Sequence, residues 1–178
     1  SLTGSIPTGA NIIGATAASV KRMHMELGGK APVLIFDDAD LDAAVDGIRS
    51  FGFYNAGQDC TAACRLYVQD AIYDEFVERL GQAVASIKPG PQGAADTELG
   101  PLISAQHRDK VAGMVQRALD QPHIRLVTGG KVLEGAGFFY APTLLADVLQ
   151  DDEIARHEVF GPVVTVTRFA DEAQALEW

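Results

Sequence analysis

A three-layer α/β architecture, with a largely parallel sheet flanked by helices, is indicated by three features of this 178-residue sequence. Strand-like and helix-like stretches alternate along the chain, as a sheet built from βαβ connections requires. The run at residues 31–36 is apolar almost throughout, which suits a strand covered on both faces. The longer helix-like stretches place their apolar residues three and four apart, so that one stripe can pack on a sheet.

Residues 1–20 are rich in Gly, Ala, Ser and Thr, and residues 9–19 are expected to form a small-residue helix lying close on its neighbours. Residues 23–27 alternate as a strand. After the apolar run at 31–36, Asp37, Asp38 and Asp40 are N-cap candidates. From Leu41 onward Ala44, Val45, Ile48, Gly52 and Asn55 share one helical face, and Gly57 is the expected stop. Residues 65–69 alternate as a strand, and residues 71–87 carry Ile72, Phe76, Leu80, Val84 and Ile87 on a single stripe. The Lys-Pro-Gly-Pro-Gln-Gly run at 88–93 is a loop by composition.

Residues 104–121 read as a helix with Val111, Val115, Ala118 and Leu119 inward and Arg108, Asp109 and Arg117 outward. A strand at 124–128 stops at Gly129-Gly130, extended chain surrounds Pro142 in 138–148, and residues 162–169 form the clearest strand of all. The sequence opens without Met and stops within an amphipathic helical pattern at residues 173–178, so an excerpt of a longer chain is expected. There is no internal repeat and no low-complexity segment.

Composition excludes several function classes. A hydrophobic content of 47% with 21% charged residues is that of an ordinary globular domain. The formal net charge of −10, with only 14 scattered basic residues, argues against nucleic acid or an anionic membrane as partner. No apolar run approaches the ~18 residues that span a bilayer, and the N-terminus lacks a signal-peptide pattern. A cytoplasmic location is expected. The two cysteines, Cys60 and Cys64, suit neither a disulfide framework nor a zinc site, and no metal is expected.

Candidate chemistry gathers in two stretches, Asn55-Ala56-Gly57-Gln58-Asp59-Cys60 and Met25-Glu26-Leu27-Gly28-Gly29-Lys30. Together they offer a thiol and a carboxylate. A free cysteine has a pKa of ~8.5, so a nucleophilic Cys60 needs surroundings that favour its thiolate. Gly57 permits a tight turn that would lift the sulfur into a cleft. The residues alone leave two readings open, a nucleophile or a small buried hydrophobe among Thr61, Ala62 and Ala63. Glu26 is likewise either a general base or a carboxylate that bonds backbone N–H groups.

Three segments, Glu26-Leu27-Gly28-Gly29-Lys30, Gly57-Gln58-Asp59-Cys60 and Glu158-Val159-Phe160-Gly161-Pro162, resemble successive motifs of the aldehyde dehydrogenase superfamily in the same order. Glu26 and Cys60 stand at the separation that family uses between its base and its nucleophile, and the similarity runs from Ser1 to Trp178. Within the superfamily, residues 31–40 and 54–65 most resemble the γ-aminobutyraldehyde dehydrogenases, near the betaine-aldehyde enzymes.

The resemblance implies NAD(P)-dependent oxidation of an aldehyde, an amino-aldehyde such as 4-aminobutanal, with NAD as cofactor and NADP as the alternative. It implies that residues 1–27 are the tail of a cofactor-binding domain and residues 28–178 a catalytic domain incomplete at its C-terminus. Cys60 is then the nucleophile and Glu26 the base that activates water. Leu27 and Gly28 would neighbour the nicotinamide, Glu158 would bind its ribose hydroxyls, and Phe160 would pack beside it. Gly4, Ser5 and Gly9 match the turn and helix start near the pyrophosphate and adenosine. The family's second oxyanion donor, an asparagine, would precede Ser1.

The resemblance also implies a homo-oligomer, a dimer or tetramer. His24, His107, His123, His157 and Cys64 match no catalytic position. Asp59 either favours a cationic aldehyde or caps a turn. Two rival readings are a thioester-forming acyltransferase that uses Cys60 without a nicotinamide, and a folded module that catalyses nothing.

Overall fold

Two short parallel strands open the structure, a computed structural model that describes all residues from Ser1 to Trp178. Leu2–Gly4 (β1) lies beside Met25–Leu27 (β2), with Thr3 opposite Glu26 and Gly4 opposite Leu27. Between them runs Ile6–Thr16 (α1). This helix begins before the expected residue 9 because Ser5 is its N-cap, accepting from Thr8 N, and Pro7 sits in the first turn. A proline costs no hydrogen bond there.

The main sheet contains Pro32–Ile35 (β3), Arg65–Gln69 (β4), Arg125–Thr128 (β5), Thr143–Ala146 (β6) and Val163–Phe169 (β7), in the order β3-β4-β7-β6-β5. Every neighbouring pair is parallel except β5 with β6. The expected α/β fold with a largely parallel sheet is therefore what forms. One expectation is corrected. The apolar run at 31–36 is an edge strand, not one covered on both faces, and Leu34 is 40% exposed while Ile35 is buried. Apolar content marked the strand but carries no information about its rank in the sheet. The centre belongs to β7, where Val163, Val164, Thr165, Val166 and Thr167 are all buried.

Helices cover the sheet as their stripes dictate. Leu41–Phe51 (α2) is capped by Asp40, whose carboxylate accepts from Asp42 N and Ala43 N, and it buries Val45 and Ile48. It ends earlier than expected, at Phe51, and the chain reaches Gly57 through a short 3-10 turn, Tyr54–Gly57. Tyr73–Ala85 (α3) follows another 3-10 turn and buries Phe76, Leu80 and Val84 as its stripe requires, together with Tyr73 and Val77.

Ala105–Leu119 (α4), capped by Ser104, buries Val111, Val115 and Ala118 and also Met114. The short Glu153–Arg156 (α5) lies in a stretch for which no helix was expected. Glu172–Glu177 (α6) forms where the amphipathic pattern indicates, but none of its residues is buried. One hydrophobic cluster of 31 residues joins the sheet to α2, α3 and α4. At about 1.5 to 3 kcal/mol for each fully buried aliphatic side chain, this cluster is the frame on which the loops at one end of β3 and β4 are held.

Candidate active site

The loop that carries Cys60 is held in an uncommon backbone conformation. Asn55, Ala56 and Gly57 are all left-handed, with φ of 50°, 57° and 69°. Gly57 has no tolerable substitute, because a Cβ there would stand 2.0 Å from the Gly161 carbonyl oxygen. The left-handed Ala56 costs on the order of 1 to 2 kcal/mol, and side-chain hydrogen bonds over-determine the turn.

Asn55 Nδ2 donates to Gln58 O at 3.0 Å, and Gln58 Nε2 donates to Asn55 O at 3.1 Å. Gln58 Oε1 accepts from Ile103 N at 2.9 Å, tying the turn to the entry of α4. Asp59 Oδ1 accepts from Thr61 N and Thr61 Oγ1, both at 2.9 Å. Its neighbours Ala56, Gly57 and Ala62 are buried, and Cys60 is left exposed. Cys60 is not a core residue. Its backbone N–H donates to no carbonyl in the chain, so it is free to meet an incoming oxygen.

Cys60 opens onto a cavity of about 430 Å³. Segments far apart in sequence converge on this cavity: Glu26, Leu27 and Gly28 from the end of β2, Gly4 and Ser5 from the start of α1, and Glu158 and Phe160 from the approach to β7. Of the nine candidate catalytic and cofactor-binding residues, only Gly9 does not line it; it is buried against the Leu27 side chain. The parallel register of β1 and β2 explains part of this convergence, since it sets Thr3 and Gly4 beside Glu26 and Leu27.

Glu158 is seated by the glycine pair. A Cβ on Gly28 would stand 2.0 Å from Glu158 Oε2, and Gly29 N donates to Glu158 Oε1 at 3.3 Å. Phe160 presents a 37% exposed side chain from a left-handed backbone, φ 57°, that an aromatic residue rarely adopts. His107 holds it there. His107 Nε2 lies 2.5 Å from the Phe160 carbonyl oxygen, and the two rings meet edge to face at 6.1 Å. A carbonyl only accepts, so Nε2 carries the proton.

Glu26 accepts from no backbone N–H group and stands in solvent-open surroundings. Its side chain is 67% exposed and its Oε1 lies 3.0 Å from His24 Nε2. Water therefore reaches the carboxylate directly. Asp59 lines the cavity and also closes a turn onto Thr61. His107, which the sequence matched to no catalytic position, and Lys110, which it did not pick out, both line the cavity from α4. They stand three apart on a helix, hence on one face, and that spacing was the available signal.

The Gly57 joint leads to an expected outcome for stability. Gly57→Ala adds left-handed strain to a backbone clash at Gly161 and should destabilise the fold by at least about 3 kcal/mol. Urea unfolding of the full-length protein checks it. A loss under about 1 kcal/mol would mean that the joint relaxes easily.

Comparison with known proteins places this site in context. All of residues 1–178 match the model of the aldehyde dehydrogenase family. The chain is 45% identical over 181 residues to betaine aldehyde dehydrogenase of Bacillus subtilis, covering 99% of this chain and 37% of that protein. It is 44% identical over 170 residues to lactaldehyde dehydrogenase of Escherichia coli, covering 95% of this chain and 35% of that one. Among solved structures it matches betaine aldehyde dehydrogenase from Staphylococcus aureus in complex with NAD+, with a TM-score of 0.94, 40% identity, 99% of this chain and 35% of that chain. The chain thus spans about a third of the length of the relatives it matches.

Proposed function

This chain belongs to the aldehyde dehydrogenase family, and we propose that the full-length protein carrying it oxidises an aldehyde to a carboxylic acid with NAD, or alternatively NADP. The observation that carries this reading is the single cavity in which Cys60, Glu26, Glu158 and Phe160 meet. Residues 1–27, which form their own two-stranded sheet, are read as the tail of the cofactor domain, and residues 28–178 as catalytic domain.

The residues present fit a nicotinamide nucleotide. Gly4 and Ser5 at the N-terminus of α1 line the cavity, where unpaired N–H groups suit phosphate. Glu158 offers a carboxylate for a ribose diol, and Phe160 offers an exposed ring beside it. When bound, the nicotinamide supplies the acceptor for the hydride of the aldehyde carbon.

Cys60 does the covalent work. Its thiolate adds to the aldehyde carbon, and the resulting oxyanion is met by the unengaged Cys60 N–H; a donor of this kind is typically worth roughly 3 to 4 kcal/mol. Departure of the hydride leaves a thioester on Cys60. Glu26, open to water, takes a proton from the attacking water and so releases the acid. The deciding experiment adds aldehyde and NAD to the full-length protein and follows reduced cofactor. Acyl transfer with no reduced cofactor would favour the acyltransferase reading instead.

His107 positions Phe160, and the expected cost of losing it is modest. His107→Leu leaves the Phe160 carbonyl without its donor, worth about 1 kcal/mol. Cofactor KM should rise roughly fivefold, with kcat changed less and with partial recovery in His107→Gln. Equal loss in both variants would remove the hydrogen bond from the argument.

For substrate, an amino-aldehyde such as 4-aminobutanal is the finer reading. Three carboxylates, Glu26, Asp59 and Glu158, line the cavity against one lysine, Lys110, which favours a cationic aldehyde. A unit charge at ~6 to 8 Å in an effective dielectric of ~20 is worth roughly 2 kcal/mol before screening. The kcat/KM should therefore favour an aldehyde bearing an ammonium group over an apolar one of equal length, less so at high salt. Asp59→Asn should reduce the preference about tenfold. An unchanged preference would remove Asp59 from substrate selection.

A further inference from the structure

Lys30 and Cys64 are brought together by the main sheet, outside the lining of the cavity described above. In the parallel pairing of β3 with β4, Pro32 stands opposite Arg65, so the residues just before each strand become neighbours. Lys30 Nζ donates to Cys64 Sγ at 3.9 Å. Lys30 is among the few buried polar or charged residues of the chain, 9% exposed, and the cysteine sulfur is its sole side-chain partner. No carboxylate lies within ion-pair distance of it.

A buried ammonium without an anion is costly. Burial pushes the Lys30 pKa below the usual lysine range; Arg65 adds to the effect, while Cys64 and Glu158 oppose it. Lowering favours the uncharged amine, which is a nucleophile. Cys64 is half-buried rather than sealed, within reach of a small oxidant.

We propose that Lys30 and Cys64 form an oxidation-sensitive pair, in which hydrogen peroxide leads to a covalent bond between the lysine nitrogen and the cysteine sulfur. The Cys64 thiolate attacks peroxide and becomes a sulfenic acid, and the displaced hydroxide takes up the thiol proton as water. Two electrons have left sulfur and reduced the peroxide. The Lys30 amine then attacks that sulfur, a nitrogen–sulfur bond forms, the sulfur–oxygen bond breaks, and a second water carries away one amine hydrogen with the hydroxyl. A sulfenic acid condenses in the same way with a backbone nitrogen to give a sulfenamide. The flexible lysine stem closes the remaining gap. A thiol reverses the bond by attacking sulfur and returning the free amine.

The product is a reversible staple between the turn under Glu158 and the end of the cysteine loop. It does not depend on the dehydrogenase reading, and its test reads mass rather than activity. The full-length protein with Cys60→Ser, which removes the adjacent thiol, is treated with hydrogen peroxide, alkylated and digested without reduction. The expected result is a linked peptide pair containing Lys30 and Cys64, lighter by two hydrogens than its parts. Dithiothreitol should abolish it, as should Lys30→Met or Cys64→Ser. The same species sought in the protein with its native Cys60 guards against a variant that fails to fold. Cys64 carrying oxygen while Lys30 is free, or Cys64 untouched at peroxide levels that oxidise Cys60, would overturn the assignment.

Discussion

Cys60→Ala should remove both aldehyde oxidation and any esterase side activity of the full-length protein, while Cys64→Ala should retain most of each. The asymmetry follows from geometry. Cys60 is exposed on the cavity wall, with an unengaged N–H and a loop fixed on both sides of it. Cys64 lies past the loop, with its sulfur toward Lys30. Without a nucleophile no acyl intermediate can form, and water cannot substitute for a thiolate in expelling hydride. Loss of an essential nucleophile typically costs a factor of roughly 10⁴ or more. Circular dichroism of each variant separates lost chemistry from lost fold. Equal chemical losses in the two variants would take the nucleophile's role from Cys60.

Glu26→Gln should behave differently, giving one rapid turnover and then a stall. The carboxylate is assigned to deacylation, so hydride transfer proceeds once and the thioester accumulates. The expected record is a burst of reduced cofactor equal to the enzyme concentration, then a steady state slower by roughly 10² to 10⁴. Glutamine keeps the size and polarity of the side chain, and Glu26 is exposed enough that little stability rides on it. Its partner His24 loses a surface contact that is worth little at such exposure. If the burst vanished as well, Glu26 would be acting before hydride transfer, as a base toward Cys60.

How much of this was legible in the sequence depended on the kind of signal. Helical stripes transferred almost unchanged, because Phe76, Leu80, Val84, Val111 and Val115 are buried whatever their neighbours are. The edge position of β3 was not legible, since an apolar run records hydrophobicity and not the number of pairing partners. The early end of α2 was hidden because Gly52 and Asn55 continue its spacing, while the left-handed turn after it is enforced by the distant Gly161.

The same division runs through the site. Motif residues Glu26, Cys60, Glu158 and Phe160 do converge on one cavity. His107 was given no role because its partner, the Phe160 carbonyl, is a backbone atom made available by an unusual φ. Lys30 was visible only as a letter in a motif, and its contact with Cys64 comes from strand register, which local pattern does not reveal.

The covalent intermediate on Cys60 is what the rest of the mechanism depends on. Its detection needs Glu26→Gln full-length protein, mixed with aldehyde and NAD, quenched in acid within the burst and mapped by peptide mass spectrometry. The mechanism predicts the acyl group of the substrate on the peptide containing Cys60, in step with the reduced cofactor formed. Reduced cofactor with no acylated Cys60, or an acyl group on Cys64 instead, would contradict it.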